Sequence, residues 1–321
     1  MIRLSIIIPL LGDEKRLDDT LVSVLENRPN NCEIIVVHNV PYDDPYQLAG
    51  EVRFVEAPPT ATAAECLNLG LAAGRAPVVH VLACGVEVSS GWADAAIRHL
   101  GDAEVAAVAA VVSSKDDPQK VVSAGLGYRA EGVAWRLGQA VEPAELDKCR
   151  AELCGPDALA AFYCRSALEA VGGFSGQAID TLMGIDAALK LRRLGFRCAL
   201  EPGCFVRADA ALADERPGFR HGRDSERLFW RWASTRGWAR SLLEHAALAV
   251  GECAIGFWRP PYLAQLAGRA CGAIQAALTG RRTSPNETLF AEPTPTIDAN
   301  ADVKHLAVAR IRDERRLSRA A

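Results

Sequence analysis

An apolar run, Val78-Val79-His80-Val81-Leu82, gives out into Ala83, Cys84 and Gly85, with Glu87 the nearest carboxylate. Ser89-Ser90-Gly91-Trp92 then opens a helical pattern from Ala93 to Leu100. A buried strand that runs through a loop into a helix places the loop at the carboxyl edge of a sheet, where open α/β sheets bind ligands. The chemistry offered there is sparse. Ala83 and Gly85 have no side chain that can coordinate anything, and the soft thiol of Cys84 suits Mg or Mn poorly. Elsewhere, ten cysteines stand without a C-x-x-C pair, several of them in apolar runs. They read as buried free thiols, which fits a reducing cytosol. No G-x-G-x-x-G follows the first apolar run, which disfavours a dinucleotide-binding enzyme. Arg223, Arg227 and Arg231 fall at i, i+4, i+8 near Trp230, Trp232, Trp238 and Trp258. That spacing is either a helix packed on the core or a cationic, aromatic stripe for a membrane interface.

These residues need a scaffold. Leu4–Leu10 is a continuous apolar run with three isoleucines, the signature of a strand buried on both faces. Gly12 and Asp13 turn the chain, and Leu17, Leu21, Val24 and Leu25 mark one face of a helix. Arg28-Pro29-Asn30-Asn31 ends it, and Glu33–Val37 is a second buried strand, so the pair forms a right-handed β-α-β unit. Val52–Val55, a helix over 61–73 and the strand at 78–82 continue the alternation. Ala106–Val112 predicts a further strand, and residues 113–150 read as an insertion.

The ordered set resembles the amino-terminal half of the family 2 glycosyltransferases, which have a GT-A fold. The resemblance rests on LSIIIPLLGDEKRLDDTLVSVLENRPNNCEIIVVHN, then on ATAAECLNLGLAAGRAPVVHVLACGVEVSSGW with its Asn68-Leu69-Gly70 and Gly74. It continues through Ala158–Cys164, Arg165 to Gly172-Gly173-Phe174, the helix from Asp186 to Leu194 and the strand toward Glu201-Pro202-Gly203. It covers roughly residues 3–240. The fold it implies is α/β, a doubly wound, mostly parallel sheet flanked by helices.

By that resemblance Pro9, His38, Asn39 and Asn68 fall toward the nucleotide, with Asn39 offering amide donors and acceptors to a base edge. The family's Asp-x-Asp metal motif should follow Leu82, where Ala83 and Gly85 stand, so Glu87 is left as a displaced ligand or a solvated loop residue. Mn or Mg is implied by the family but not supported by these positions. The acceptor base should lie in a Glu-Asp pair ahead of the Asp186 helix, and Met183 and Gly184 occupy it. Asp186, which a helix N-terminus would stabilise, and Asp180, in the Gly176–Gly184 loop, are the remaining candidates. Ala208 takes the place of the family's metal-binding histidine. Arg207 beside it either sets a fixed cation near a diphosphate or pairs with Asp209 or Glu201.

The 321 residues accommodate one large domain over 1–240, a helical extension over 241–280 and a disordered tail over 281–321 with a short basic segment at 303–319. The net charge of −4 makes no case for nucleic acid. Residues 4–11 are too short for a signal peptide and no stretch is apolar enough to span a bilayer, so a cytoplasmic protein, peripheral to a membrane at most, is expected. Two functions fit: transfer of sugar from a nucleotide sugar to a glycan or lipid-linked acceptor, or a catalytically inactive relative that binds or scaffolds a partner.

Overall fold

The structure is a computed structural model that describes residues 2–12, 14–139, 141, 143–175, 180–214, 217–232, 238–256 and 259–279. The predicted tail and its basic segment lie outside these residues.

The apolar runs become the centre of a nine-stranded sheet. Strands β1 (Leu4–Leu10), β2 (Cys32–His38), β3 (Val52–Glu56) and β4 (Val78–Leu82) lie in parallel in the order β3-β2-β1-β4. Helices α1 (Glu14–Asn27) and α2 (Ala63–Ala73) make the crossovers. α2 starts where it does because Thr62 and Glu65 form a reciprocal cap. The Thr62 N–H donates to Glu65 Oε2 at 2.7 Å, and the Glu65 N–H donates to Thr62 Oγ1 at 3.3 Å.

Beyond β4 the sheet continues through β10 (Ala160–Cys164), β6 (Val105–Ser114), β11 (Arg197–Ala208) and β5 (Val86–Val88), with β7 (Val121–Ser123) on β6. β10 runs antiparallel to both β4 and β6, while β6 and β11 are parallel to each other. Six of the nine strands therefore point one way, and β5, β7 and β10 the other. β5 was not expected from the sequence. Three residues are too few to show a period, and the strand exists because Val86–Val88 pairs with Val206–Ala208. Helix α3 (Asp94–His99) follows it.

One histidine is wholly internal. His80, in β4, donates from Nδ1 to the Ala161 carbonyl at 3.1 Å and accepts at Nε2 from the Trp92 indole N–H at 3.2 Å. Its ring stacks on Phe162 at 3.8 Å. Both nitrogens are satisfied, so it holds the core and does no chemistry.

The insertion acquires a structure its sequence did not reveal. β7, a two-stranded ribbon of β8 (Leu126–Tyr128) and β9 (Ala134–Arg136), and a 3-10 stretch Pro143–Ala151 cover one sheet face. Val121, Leu137 and Leu146 pack there on Ala109, Val111 and Leu200, a small core of their own. After β10 come α4 (Arg165–Ala170), α5 (Asp180–Arg193) and the helical layer α6 (Phe219–Trp232), α7 (Trp238–Gly256) and α8 (Pro260–Thr279). The expected boundary at residue 240 falls inside the first turn of α7.

In that layer α6 is packed, with Gly222 directly against the backbone of Gln265 in α8. The arginines of the stripe are half-buried and engaged within the fold. Arg223 pairs with buried Asp224 at 2.8 Å, Arg227 is half-buried, and Arg231 pairs with buried Asp186 at 2.9 Å. Among the described residues no helix is long and apolar enough to cross a membrane.

Candidate functional site

The carboxyl edge of β1, β2 and β4 brings together Pro9, His38, Asn39 and the loop Ala83–Gly85. The Asn39 N–H donates to the Leu10 carbonyl at 3.2 Å, and the Cys84 thiol donates to the Pro9 carbonyl at 3.2 Å. His38 donates from Nδ1 to the Val40 carbonyl at 2.8 Å, since a carbonyl only accepts. Asn39 donates its amide N–H to the Ala61 carbonyl at 2.9 Å, which fixes the amide with its oxygen turned the other way. That oxygen is buried and has no hydrogen-bond partner. The same holds for the hydroxyl of Tyr42, three residues on, whose ring packs on Phe54 at 5.1 Å. Burial, with the nearby charges of Asp18 and Asp44, pushes the Tyr42 phenol up to about 12, so it remains a donor. Unsatisfied buried polar atoms are costly and rare in folded proteins. Two in one loop at the ligand-binding edge of a sheet are notable. Tyr42 was missed in the sequence; an aromatic residue in a loop of Pro, Asp and Gln directly after a buried strand was the available signal.

Asn68 is placed differently. Its amide N–H donates to the Phe174 carbonyl and its oxygen accepts from the Phe174 N–H, both at 2.9 Å. It is buried, a bracket between α2 and the turn before Phe174. Gly172 and Gly173 make that turn with φ of 79° and 69°, two successive left-handed residues that only glycine adopts readily.

Asp186 does not cap its helix. α5 begins at Asp180, so the Gly176–Gly184 stretch is not one loop and Asp186 sits in the second turn. It is 1% exposed and fully engaged. Lys190 reaches it at 3.3 Å, Arg231 at 2.9 Å and the Trp232 indole N–H at 3.0 Å, and the Ser175 hydroxyl donates to it as well. Burial alone would raise its carboxyl, but Lys190, Arg231 and these hydrogen bonds outweigh it and bring it to about 2. Asp180 stands at the start of α5; its side chain lies outside the described residues.

The far end of the edge holds charges. Glu87 pairs with Lys115 at 2.7 Å, and Lys115 also approaches Asp19 at 3.7 Å. Arg207 is the register partner of Glu87 across β5 and β11 and is exposed. It joins neither expected partner. Asp209 accepts from the Ala211 N–H at 2.9 Å, and Glu201 binds His99 at 2.6 Å.

No family model matches the chain, and no curated protein does. Solved structures do. The mannosyltransferase PcManGT from Pyrobaculum calidifontis, in complex with GDP-Man and Mn2+, is 17% identical with a TM-score of 0.51, over 96% of this chain and 86% of its own. GalNAc-T7, solved with UDP, GalNAc and Mn2+, is 14% identical with a TM-score of 0.57, over 87% of this chain and 57% of its own. S. aureus TarS is 14% identical with a TM-score of 0.51, over 80% and 44%. The fold is GT-A.

Two of these GT-A neighbours hold Mn2+, but the residues of this chain do not fit a divalent ion. Ala83 and Gly85 offer no side-chain oxygen, and a side chain at Gly85 would be strained and tightly packed. Its φ is +90°, and a Cβ there would lie 3.0 Å from Leu212 and 3.4 Å from Arg16. Glu87 is committed to Lys115, and Ala208 is buried against Val86. Among the described residues no three of His, Cys, Asp and Glu assemble into a metal site.

Proposed function

We propose that this chain binds a nucleotide sugar at the carboxyl edge of β1, β2 and β4 and transfers its sugar to a glycan or lipid-linked acceptor without a divalent metal. The observation that carries the reading is the pair of orphaned polar atoms, Asn39 Oδ1 and the Tyr42 hydroxyl, on the ligand-binding edge of a GT-A sheet. A nucleobase supplies N–H and carbonyl groups to satisfy both. Because both atoms are shut off from solvent, admitting a base moves the surrounding loop. That loop already holds two non-glycine residues in the left-handed region, Asp44 at φ 45° and Gln47 at φ 55°.

In the transfer, a carboxylate removes the proton of the acceptor hydroxyl as its oxygen attacks the anomeric carbon. The bond from that carbon to the diphosphate oxygen breaks, and the diphosphate leaves with the electron pair. Asp180 suits the first role, standing at the start of α5, a few residues before the positions Met183 and Gly184 take from the family's acidic pair. Asp186, held near pKa 2 and enclosed, is too weak a base and serves as a strut instead. Arg207, exposed on β11, supplies a permanent positive charge for the leaving group.

Calorimetry of the full chain with UDP, GDP, ADP and CDP, each with Mn and with chelator, tests this. Binding of one of them that is indifferent to chelator supports the reading; no binding in any condition defeats it. Binding without sugar transfer to any lipid-linked or glycan acceptor would favour the scaffold function, for which the bare metal loop is the relevant observation.

A further inference from the structure

The helical layer buries charges that the carboxyl edge does not use. Glu226 on α6, His245 on α7 and Arg269 on α8 are all enclosed. Each ring nitrogen of His245 faces an acceptor. Nδ1 lies 2.6 Å from the carbonyl of Glu131, in the turn of the β8–β9 ribbon, and Nε2 lies 2.9 Å from Glu226 Oε2. A carbonyl only accepts. Burial alone would raise Glu226, but His245, the Trp230 indole N–H and Arg269 hold it below the ordinary carboxylate range, so it only accepts as well. Both ring nitrogens therefore donate, and the ring is an imidazolium. That charge closes the local balance. Arg269 lies 3.3 Å from Glu226 and 2.7 Å from Glu252, one cation against two carboxylates, and His245 is the second cation. Its ring lies flat on Phe229 at 3.6 Å.

We propose that His245 is a proton-operated latch between the helical layer and the inserted ribbon, whatever the carboxyl edge binds. With its proton, the ring fastens α7 to α6 and to the ribbon turn at once. Without it, one N–H remains. The ring keeps that hydrogen on the carboxylate, because a lone pair there would face a negative charge. The Glu131 carbonyl is then left opposite a bare nitrogen, and the turn is released. The latch is thus closed on the acid side and opens as pH rises. The turn is built to sit this close. At Gly132, with φ +92°, a Cβ would lie 3.2 Å from Phe229 and 3.4 Å from His245 Nδ1. From there β9 leads to Arg136, whose guanidinium donates to Asp157 at 2.7 Å and to the Ala213 carbonyl at 2.6 Å. Release at the turn therefore loosens the part of the insertion that is tied to the sheet. The other ionisable groups nearby do not take this role. Arg269 and Glu252 hold each other in a fork, Asp224 pairs with Arg223, and the Arg129 guanidinium lies over Trp135 at 5.0 Å. Burial pushes the Tyr128 phenol up, so it stays neutral. Burial and Arg269 keep His221 below its ordinary value, so it is already neutral where a histidine titrates.

Nitrogen-15 NMR of histidine rings in the full chain reads the latch directly, between about pH 5 and about pH 9. The His245 signals are assigned by their loss in His245→Gln. On the acid side both nitrogens should carry hydrogen, and Nδ1 should lose its own as pH rises. Amide exchange at residues 129–133, normalised for the intrinsic effect of pH, should rise over the same range by roughly tenfold, the worth of one hydrogen bond. In His245→Gln that exchange should no longer follow pH. Glu226→Gln keeps the shape and removes the charge, so it should move the His245 midpoint to lower pH. If His245→Gln does not fold, the signal that Glu226→Gln displaces supplies the assignment. A His245 ring that stays in one protonation state throughout overturns the proposal. So does a midpoint unmoved by Glu226→Gln, or turn exchange that follows pH in His245→Gln as it does in wild type.

Discussion

Arg231 and Asp186 meet at 2.9 Å, a guanidinium from α6 on a carboxylate that α5 keeps 1% exposed. One contact thus bears on two candidates: it helps enclose the aspartate and commits one face of a half-buried arginine to it. It also ties the helical layer to the GT-A sheet. Asp186→Asn should therefore act on stability. Removing one partner of a buried pair leaves the other uncompensated, at a cost of about 3–5 kcal/mol. Denaturant midpoints measure it, and an unchanged midpoint would return Asp186 to consideration as a base.

The carboxyl of Asp186 also gives an acid limb to stability. Its folded pKa of about 2 lies below the ordinary 3.8. The stabilisation, about 2 kcal/mol, is complete above 3.8 and is lost as pH falls through 2.

His80 acts over a higher window. Burial lowers it from 6.5 to about 3, against the weaker upward pull of the Ala161 carbonyl. The folded state keeps it neutral while the unfolded chain protonates it. Its contribution is full above 6.5 and is lost as pH falls toward 3, with a slope of at most about 1.4 kcal/mol per pH unit. A His80→Gln variant, though less stable, should show a flatter pH dependence between these limits.

Tyr42→Phe separates stability from binding. In the free protein its hydroxyl has no partner, so deleting it should leave the melting temperature unchanged or raise it. Nucleotide affinity should fall by roughly 5–10-fold, the loss of one neutral hydrogen bond. A drop in melting temperature with unaltered affinity would mean the hydroxyl serves the fold.

Asp180→Asn should lower turnover by roughly 10²-fold with the unfolding midpoint preserved, the inverse of the Asp186 result. Full activity in this variant would place the base elsewhere.

Replacing Arg223, Arg227 and Arg231 together by Gln should unfold or loosen α6 rather than merely release a membrane. Asp224 and Asp186 would each lose an arginine partner, so circular dichroism melts would shift before any change in vesicle co-sedimentation appeared. An unaltered melt would reinstate an exposed cationic face.

Much of the scaffold was legible because it is written locally. β1, β2 and β4 carry long apolar runs, the helix over 61–73 was readable, and the bare loop at 83–85 can be read directly. Pro9, His38 and Asn39 were singled out by the family resemblance, and the parallel pairing of β1 and β2 puts them at one edge. Short features escaped, β7 (Val121–Ser123) among them. β5, β8 and β9 have three residues each, too few for a period, and exist only through their pairings.

The fate of the polar side chains was decided by tertiary structure alone. Asn68 spends its amide on Phe174, 106 residues away, and Asp186 is closed by Arg231, 45 residues away. The Arg16 stem reaches Gly85 only because α1 docks on the β4 loop. Backbone propensity and apolar periodicity are properties of neighbours along the chain, and sequence records them. Whether a carboxylate is a base or a strut depends on which cation the fold brings to it and how much water it excludes, and those are set across the chain.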